Sequence, residues 1–473
     1  MFRKLLQHLD NWAGRAAADP RFLWKLFFIG LVVRVGLVLL HQNVHLISDM
    51  LGYHESAVSL LQSGEFRVKG RLSATRPPMY SIFIFMFYYL FGVGNIFGLR
   101  LVQCVIGAVT SVLTFRLGEK VFSRKAAVWA GVMFAFYPAG WGYCDLMLSE
   151  TLFTFFFVAG LIYFVDVPRG KISDAFFAAI LLGMATLTRT VLFLFPIPFV
   201  LIYLVLYKNR LSNLVKLIVF AVTFWMILIP WVARNERVFD APIMTTKSGV
   251  DLFLYNHSPF LFILHNYSLE NEEILGDIVP WQLSEIERDN LCRETAAQWI
   301  KENPLLFVFK GIRMQWNYFG VEREYIWSLL AGYWGRAPRW QFLLAFIVFA
   351  PTIYLLMPLF IWGFVYSWKK FPGKHNLLWI TGYFLAVTFI AFGFSRHRTP
   401  LNPIMMCFAG YALTFWQPIL DDLKRPGLLK RPLAVISLGL LLFFAVGWLL
   451  EIYLDIGSFF NLGFQAESWK ELN

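Results

Sequence analysis

Asp49 is the first carboxylate after the first long apolar run. It stands in the polar stretch SDMLGYHESAVSLLQSGEFRVKGRLSATRPPMY, from Ser48 to Tyr80. A carboxylate at a membrane boundary has the chemistry of a general base for an acceptor hydroxyl or amine, and partial desolvation is expected to raise its pKa toward that task. The same residue would equally serve to cap a helix starting near Leu51. Asp145 and Glu150 form a second acidic group, in YCDLMLSETLF. Glu150 opens an apolar run, where it suits the dipole of that helix; a carboxylate at the mouth of a span also suits a functional cavity. Arginines form the third group: Arg76 before Pro77-Pro78, Arg189 in LTRT, and Arg396 and Arg398 around His397. Guanidinium forks bind phosphate bidentately and tolerate partial burial. They would stabilise the charge that grows on a departing phosphate. Snorkelling explains isolated boundary arginines, but three separate stretches on one face point to phosphate.

Other ionisable residues carry less. His41, His45 and Asp49 recur at four-residue spacing, which on a helix would line up three metal ligands. No firm fourth ligand accompanies them, and no metal is assigned. Arg34 lies in the middle of the first apolar run, where a lone cation costs at least ~2.5 kcal/mol. It is expected to pair inside the bundle. Tyr53, Asp145, Asn235 and Asn256 are polar groups near the same loops, suited to substrate contacts or to structural roles.

The elements that must hold these groups are apolar. Of 473 residues, 58% are hydrophobic and only 15% charged, against about 25% charged in a soluble domain. Mean hydropathy is +0.59. The composition describes an all-α polytopic membrane protein, and a span needs about 20 apolar residues. Candidate spans are 22–42, 98–118, 126–143, 149–166, 174–189, 191–207, 217–233, 341–367, 377–394, 404–420 and 433–454. The net charge of +12 comes from short basic clusters between these runs. That is the pattern of topology signals facing anionic lipid, not of nucleic-acid binding. Placing every cluster inside requires two further apolar segments, 79–91 and 304–320, to be external juxtamembrane helices. The result is about 11 spans, the N-terminus (1–21) cytoplasmic, a membrane domain over 22–455, and an external tail at 456–473. The outer face then collects the loop 43–78, the Asp145–Glu150 segment, the Arg189 edge, the region 234–340 and SRHRTPLNP at 395–403. Within 234–303, Ser284 and Glu287 form a capping box; Ile286, Trp299 and Ile300 are its expected apolar stripe. Four scattered cysteines without a Cys-x-x-Cys give neither a disulfide framework nor a zinc knuckle.

The ordered motifs have a likeness. The Ser48–Gly64 segment, RPPMY with its later LFG (Arg76 to Gly92), LSETLF, LTR, Pro230-Trp231 with Arg234-Asn235, and RHRTPLNP together resemble the membrane glycosyltransferases of the GT-C superfold. The branch is that of protein O-mannosyltransferases and the bacterial aminoarabinose lipid A transferase. The resemblance runs from the first span to about residue 420. It implies transfer of a sugar from a polyprenyl-phosphate donor to a lipid, glycan or protein acceptor, at the outer face of the cell (inner) membrane, usually with inversion and without a metal. It puts Asp49 in the place of the catalytic first-loop aspartate and Glu150 at the second acidic position. Arg76, Arg396 and Arg398 fall near the lipid phosphate. Two positions depart from the pattern. Met50 stands where relatives often have a second acid, and Gly52 stands where the lipid A branch tends to carry a basic residue. Two other classes stay open: a transporter or flippase of lipid-linked sugars, and a GT-C ligase using diphosphate-linked glycans.

Overall fold

The computed structural model describes residues 2–41, 43–206, 211–254, 256–257, 283–335, 339–368, 374–391, 393–427 and 430–465. It is helical almost throughout. An N-terminal helix α1 (Phe2–Ala18) precedes α2 (Phe22–Leu40); the first outer region then holds α3 (Asp49–Ser63) and α4 (Pro78–Phe91). Between these two lies a hairpin of β1 (Arg67–Val68) and β2 (Arg71–Leu72). Its turn puts Lys69 and Gly70 at φ +51° and +75°, the paired left-handed conformations of a tight hairpin turn.

The bundle continues with α5 (Ile96–Val121), α6 (Arg124–Ala135), α7 (Pro138–Asp145), α8 (Glu150–Phe164), α9 (Ile172–Thr188), α10 (Pro196–Leu206) and α11 (Leu211–Phe239). The second outer region contributes α12 (Ser248–Leu254), α13 (Glu285–Glu302), α14 (Pro304–Tyr318) and α15 (Arg323–Leu330). The chain ends in α16 (Arg339–Tyr366), α17 (Lys374–Ile390), α18 (Ser395–Arg398), α19 (Asn402–Thr414), α20 (Trp416–Lys424) and α21 (Pro432–Gln465). The core lies where α5 and α8 pack on their neighbours α6, α9 and α19, filled by residues such as Phe153, Phe157, Leu161 and Phe408.

Five of the described helices, α2, α5, α11, α16 and α21, are long and apolar enough to cross a membrane, and the pair α18–α19 with α20 makes a sixth if its 73° bend counts as one span. This is a multi-pass membrane protein. Shorter apolar helices, among them α8 and α9, fall within other segments where spans are expected, at 10–17 residues each. Two expected spans are broken. The run 126–143 divides into α6 and α7 at Phe136-Tyr137, where Pro138 opens α7. A proline is tolerated there because its missing N–H needs no partner in the first turn. The run 404–420 bends between α19 and α20. The segments expected as juxtamembrane helices, 79–91 and 304–320, fall on helices α4 and α14.

Three other expectations change. Residues 41 and 43–48 are not helical, so His41, His45 and Asp49 do not share a helical face. The capping box of Ser284 and Glu287 is present at the start of α13, but the face that α13 buries is Asp289, Cys292 and Ala296; Ile286, Trp299 and Ile300 are only half-buried. Arg34 pairs with no acid among the described residues; its partners inside the bundle are carbonyls. It donates to the carbonyls of Phe134 (3.2 Å) and Ala135 (3.3 Å), the open C-terminal end of α6, where a cation meets the negative pole of the helix.

Candidate active site

Asp49 is the first residue of α3, after Ser48 at φ +53°. Few non-glycine residues adopt that conformation, and it turns the chain sharply so that the carboxylate faces back over the bundle. One oxygen, Oδ1, accepts from Arg76 Nη2 at 2.8 Å; the other, Oδ2, accepts from Arg396 Nη2 at 3.2 Å. Arg76 is delivered by the loop that closes at Pro77 before α4, and its guanidinium lies 5.3 Å from the centre of the Tyr53 ring. Tyr53, one turn into α3, donates its hydroxyl to Ser149 Oγ at 3.2 Å. Gly52 is part of this packing. A Cβ there would stand 2.7 Å from Arg76 Cζ, so the absent side chain is the space the guanidinium occupies. The departure at Gly52 seen in the sequence is thus filled by a cation from another loop.

Glu150 opens α8 and is 1% exposed. Its Oε1 accepts from Arg189 Nη1 at 2.5 Å and from Arg396 Nε. Its Oε2 has no hydrogen-bond partner among the described residues. A buried carboxylate oxygen without a donor is costly, which marks this atom as one that a substrate hydroxyl can satisfy. Arg396 therefore bridges the two acids, and five charged side chains from α3, α4's leading loop, α8, the end of α9 and α18 form one group.

Burial alone would raise the pKa of Asp49, as the sequence reading expected. The Arg76, Arg396 and Lys247 charges around it outweigh that and hold the carboxyl well below its ordinary range. The expected upward shift is reversed because two guanidiniums touch the carboxylate directly.

Four of the sequence-nominated residues lie elsewhere. Arg398 shares α18 with Arg396, yet residues two apart on a helix do not face the same way. It turns inward, donating to the carbonyls of Tyr318 (2.7 Å) and Gly320 (2.9 Å) and pairing with Glu322. Asp145 pairs with Arg100 of α5 and lies 2.6 Å from His41 Nδ1, with both Asp145 and Arg100 fully buried. Asn235 donates to the Ile243 carbonyl at 2.8 Å and accepts from Arg234, and Asn256 ties α12 to the end of α17. These are tethers between elements.

Two residues of the site were missed. Lys247 and Asp251 lie 3.7 Å apart at the start of α12, and the irregular segment before it is bound to the Arg76 loop. Thr245 Oγ1 donates to the Thr75 carbonyl at 3.0 Å and Thr246 N to the Ala74 carbonyl at 3.1 Å. Asp289 of α13 accepts from the free N–H groups of Gly249 and Val250, capping α12 from another helix. Asp251 raises the pKa of Lys247 further, and Asp49 adds to the effect. Only a lysine and an aspartate four apart, in a loop with no other signature, mark this pair in the sequence. Among the described residues no three histidine, cysteine or acidic side chains gather as metal ligands would.

Comparison with known proteins places the chain in context. Residues 75–233 match a family described as dolichyl-phosphate-mannose-protein mannosyltransferase. An uncharacterised protein of Aquifex aeolicus is 25% identical over 221 residues, which cover 44% of this chain and 44% of that protein. Among solved structures, the Archaeoglobus fulgidus oligosaccharyltransferase tethered to an acceptor peptide with an NVT sequon has a TM-score of 0.51 at 14% identity. The match covers 92% of this chain and 55% of that one. The oligosaccharyltransferase AglB of the same organism, bound to an inhibitory peptide and dolichol-phosphate, gives 0.50 at 14% identity, covering 92% and 56%. This chain spans about half the length of those structures. The fold is that of the GT-C membrane glycosyltransferases.

Proposed function

We propose that this protein is a membrane glycosyltransferase that moves a sugar from a polyprenyl-phosphate donor to a lipid, glycan or protein acceptor at the external face of the cell membrane, with inversion. The observation that carries the proposal is the bridge at Arg396: among the described residues two carboxylates share three guanidiniums, and Arg76, Arg189 and Arg396 keep part of their surface open to a substrate phosphate. The family match over residues 75–233 and the GT-C fold support it.

In this reading the donor phosphate enters against Arg76, Arg189 and Arg396. Asp49 accepts the proton of the acceptor hydroxyl or amine. The acceptor's lone pair forms the new bond to the anomeric carbon as the bond from that carbon to the phosphate oxygen breaks, and polyprenyl phosphate departs with the electron pair. The guanidiniums neutralise the charge that appears on it. Binding of the donor also changes Asp49. A phosphate that engages Arg76 and Arg396 weakens their hold on the carboxylate, whose proton affinity then climbs toward that of a working base. Glu150, with one oxygen held by arginines and the other unpartnered, receives a hydroxyl of the sugar or acceptor. The α12–α13 unit borders the cleft on the aqueous side. With the basic clusters inside, the N-terminus is cytoplasmic and the site external.

Each carboxylate already meets two guanidiniums, so the mechanism calls for no divalent cation, and turnover is expected to persist in excess EDTA. The deciding experiment uses purified protein, a panel of radiolabelled polyprenyl-phosphate sugars, and membrane extract as acceptor. Wild-type transfer is expected, with a loss of 10²- to 10⁴-fold, roughly the scale of general-base catalysis, in Asp49→Asn. Donor binding without transfer by either protein would favour a flippase, and transfer only from diphosphate-linked donors would favour a ligase.

A further inference from the structure

The N-terminal helix α1 has three faces. Ala13 is fully buried, and Ala16 and Ala17 pack with it against the cluster formed by α2, α5 and α6. Three contacts clamp the helix to α6: Asp10 to Lys125 at 2.5 Å, Trp12 to Trp129 with ring centres 5.4 Å apart, and Arg124 Nε to the Ala17 carbonyl at 2.5 Å. A second stripe, Leu5, Leu9 and Trp12, follows the helical repeat of four and three residues and is left exposed at 54%, 37% and 37%. Beside it runs a third row, Lys4, His8, Asn11 and Arg15, at the same spacing and also exposed.

We infer that α1 is an interfacial helix that lies in the membrane surface and binds the headgroups of anionic phospholipids. Two observations select lipid as the occupant. The helix that carries the apolar stripe leads, across the short 19–21 link, into α2, a membrane-spanning candidate that exposes Trp24, Phe28 and Val32. The polar row beside the stripe is basic, with Lys4, His8 and Arg15 and no acid among them; Lys25, Arg116 and Lys120 are by contrast already paired with Asp19, Glu119 and Asp166. A helix with its apolar stripe at the acyl boundary sets such a row at phosphate level. The clamp to α6 fixes the rotation of α1, so only one face can meet the bilayer.

The test uses the full-length protein in vesicles of phosphatidylcholine with or without phosphatidylglycerol. Spin labels are placed at Leu9→Cys, at Asn11→Cys, and at Val32→Cys as a lipid reference. The four native cysteines are buried. Collision with oxygen is expected to exceed collision with a water-soluble nickel chelate at positions 9 and 32, and the reverse at 11. Enrichment of phosphatidylglycerol around the protein is expected to fall in Lys4→Gln/Arg15→Gln by roughly fivefold per charge, the scale of one basic residue at an anionic surface. A water-like reading at position 9 would overturn the placement. An unchanged lipid preference in the double variant would overturn the headgroup assignment. Both substituted side chains are exposed, so loss of folding does not confuse the outcome.

Discussion

Two kinds of arginine–carboxylate cluster occur in this bundle, and they differ in balance and access. In the sealed kind, Arg100 meets Asp145 and Arg398 meets Glu322, one cation to one acid, with exposures of 0% to 2%. In the open kind, Arg76, Arg189 and Arg396 meet Asp49 and Glu150; the arginines and Asp49 retain 14% to 27% exposure. A sealed, charge-balanced pair has nothing left to offer a ligand, and its role is to tie helices. Among the described residues the open group carries one more cation than anion, and it reaches solvent. Similar residues thus serve architecture in one place and a substrate in the other, and the count of charges tells them apart.

The sharpest way to break this distinction is to remove an acid from each kind. Asp145→Asn or Glu322→Gln leaves a buried guanidinium without its counter-charge, a loss of about 3–5 kcal/mol. We expect a large drop in thermal stability, with transfer per folded molecule kept within a few fold. Asp49→Asn should do the opposite, with a smaller loss of stability and collapsed transfer. Differential scanning fluorimetry beside the transfer assay separates the two. If Asp145→Asn abolished transfer without lowering stability, Asp145 would belong to the active site and the charge-count argument would fail.

A smaller effect is expected at Gly52. Alanine there places a methyl group where the Arg76 guanidinium lies, and that guanidinium is pinned by Asp49 and Tyr53. Displacing it should weaken donor binding by about tenfold, one misplaced charge-assisted hydrogen bond. The acceptor dependence should stay unchanged. Titrating labelled polyprenyl-phosphate sugar onto Gly52→Ala measures this directly; wild-type affinity would show that Arg76 does not touch the phosphate.

The sequence made the membrane class, the fold and the carboxylates Asp49 and Glu150 legible, because apolar run length and charge at span mouths are local signals. Partners were less legible. Arg398 was grouped with Arg396 because proximity in sequence is not proximity on a helix, and a separation of two sends the side chains apart. Asp145 looked like a substrate contact because its partner, Arg100, sits five residues into α5 inside an otherwise apolar run. The same reasoning that demanded a partner for Arg34 applies to Arg100 and would have claimed an acid for it. Gly52 read as a deficit, since a sequence shows a missing side chain but not the guanidinium that fills its place. Lys247 and Asp251 lie in a loop whose docking on residues 74–75 depends on tertiary hydrogen bonds that no local pattern encodes.

The pH dependence gives the finest test of how the open group is poised. Asp49 is held below the ordinary carboxylate value of about 3.9 by Arg76, Arg396 and Lys247 against the opposing effect of burial. A depressed folded-state pKa means that the ionised carboxylate stabilises the fold above the unfolded value. That contribution is lost only as pH falls through the lower, folded value. Free-enzyme kcat/KM should therefore show no acid limb from Asp49 between pH 5 and neutrality. In Arg76→Gln the largest opposing charge is gone while burial remains, so the limb should move upward. Arg398→Lys, which alters only a sealed pair, should leave the profile where it was. If Arg76→Gln and wild type gave superimposable profiles, the guanidinium would not be setting the charge state of Asp49, and activation of the base by the donor phosphate would have no physical basis.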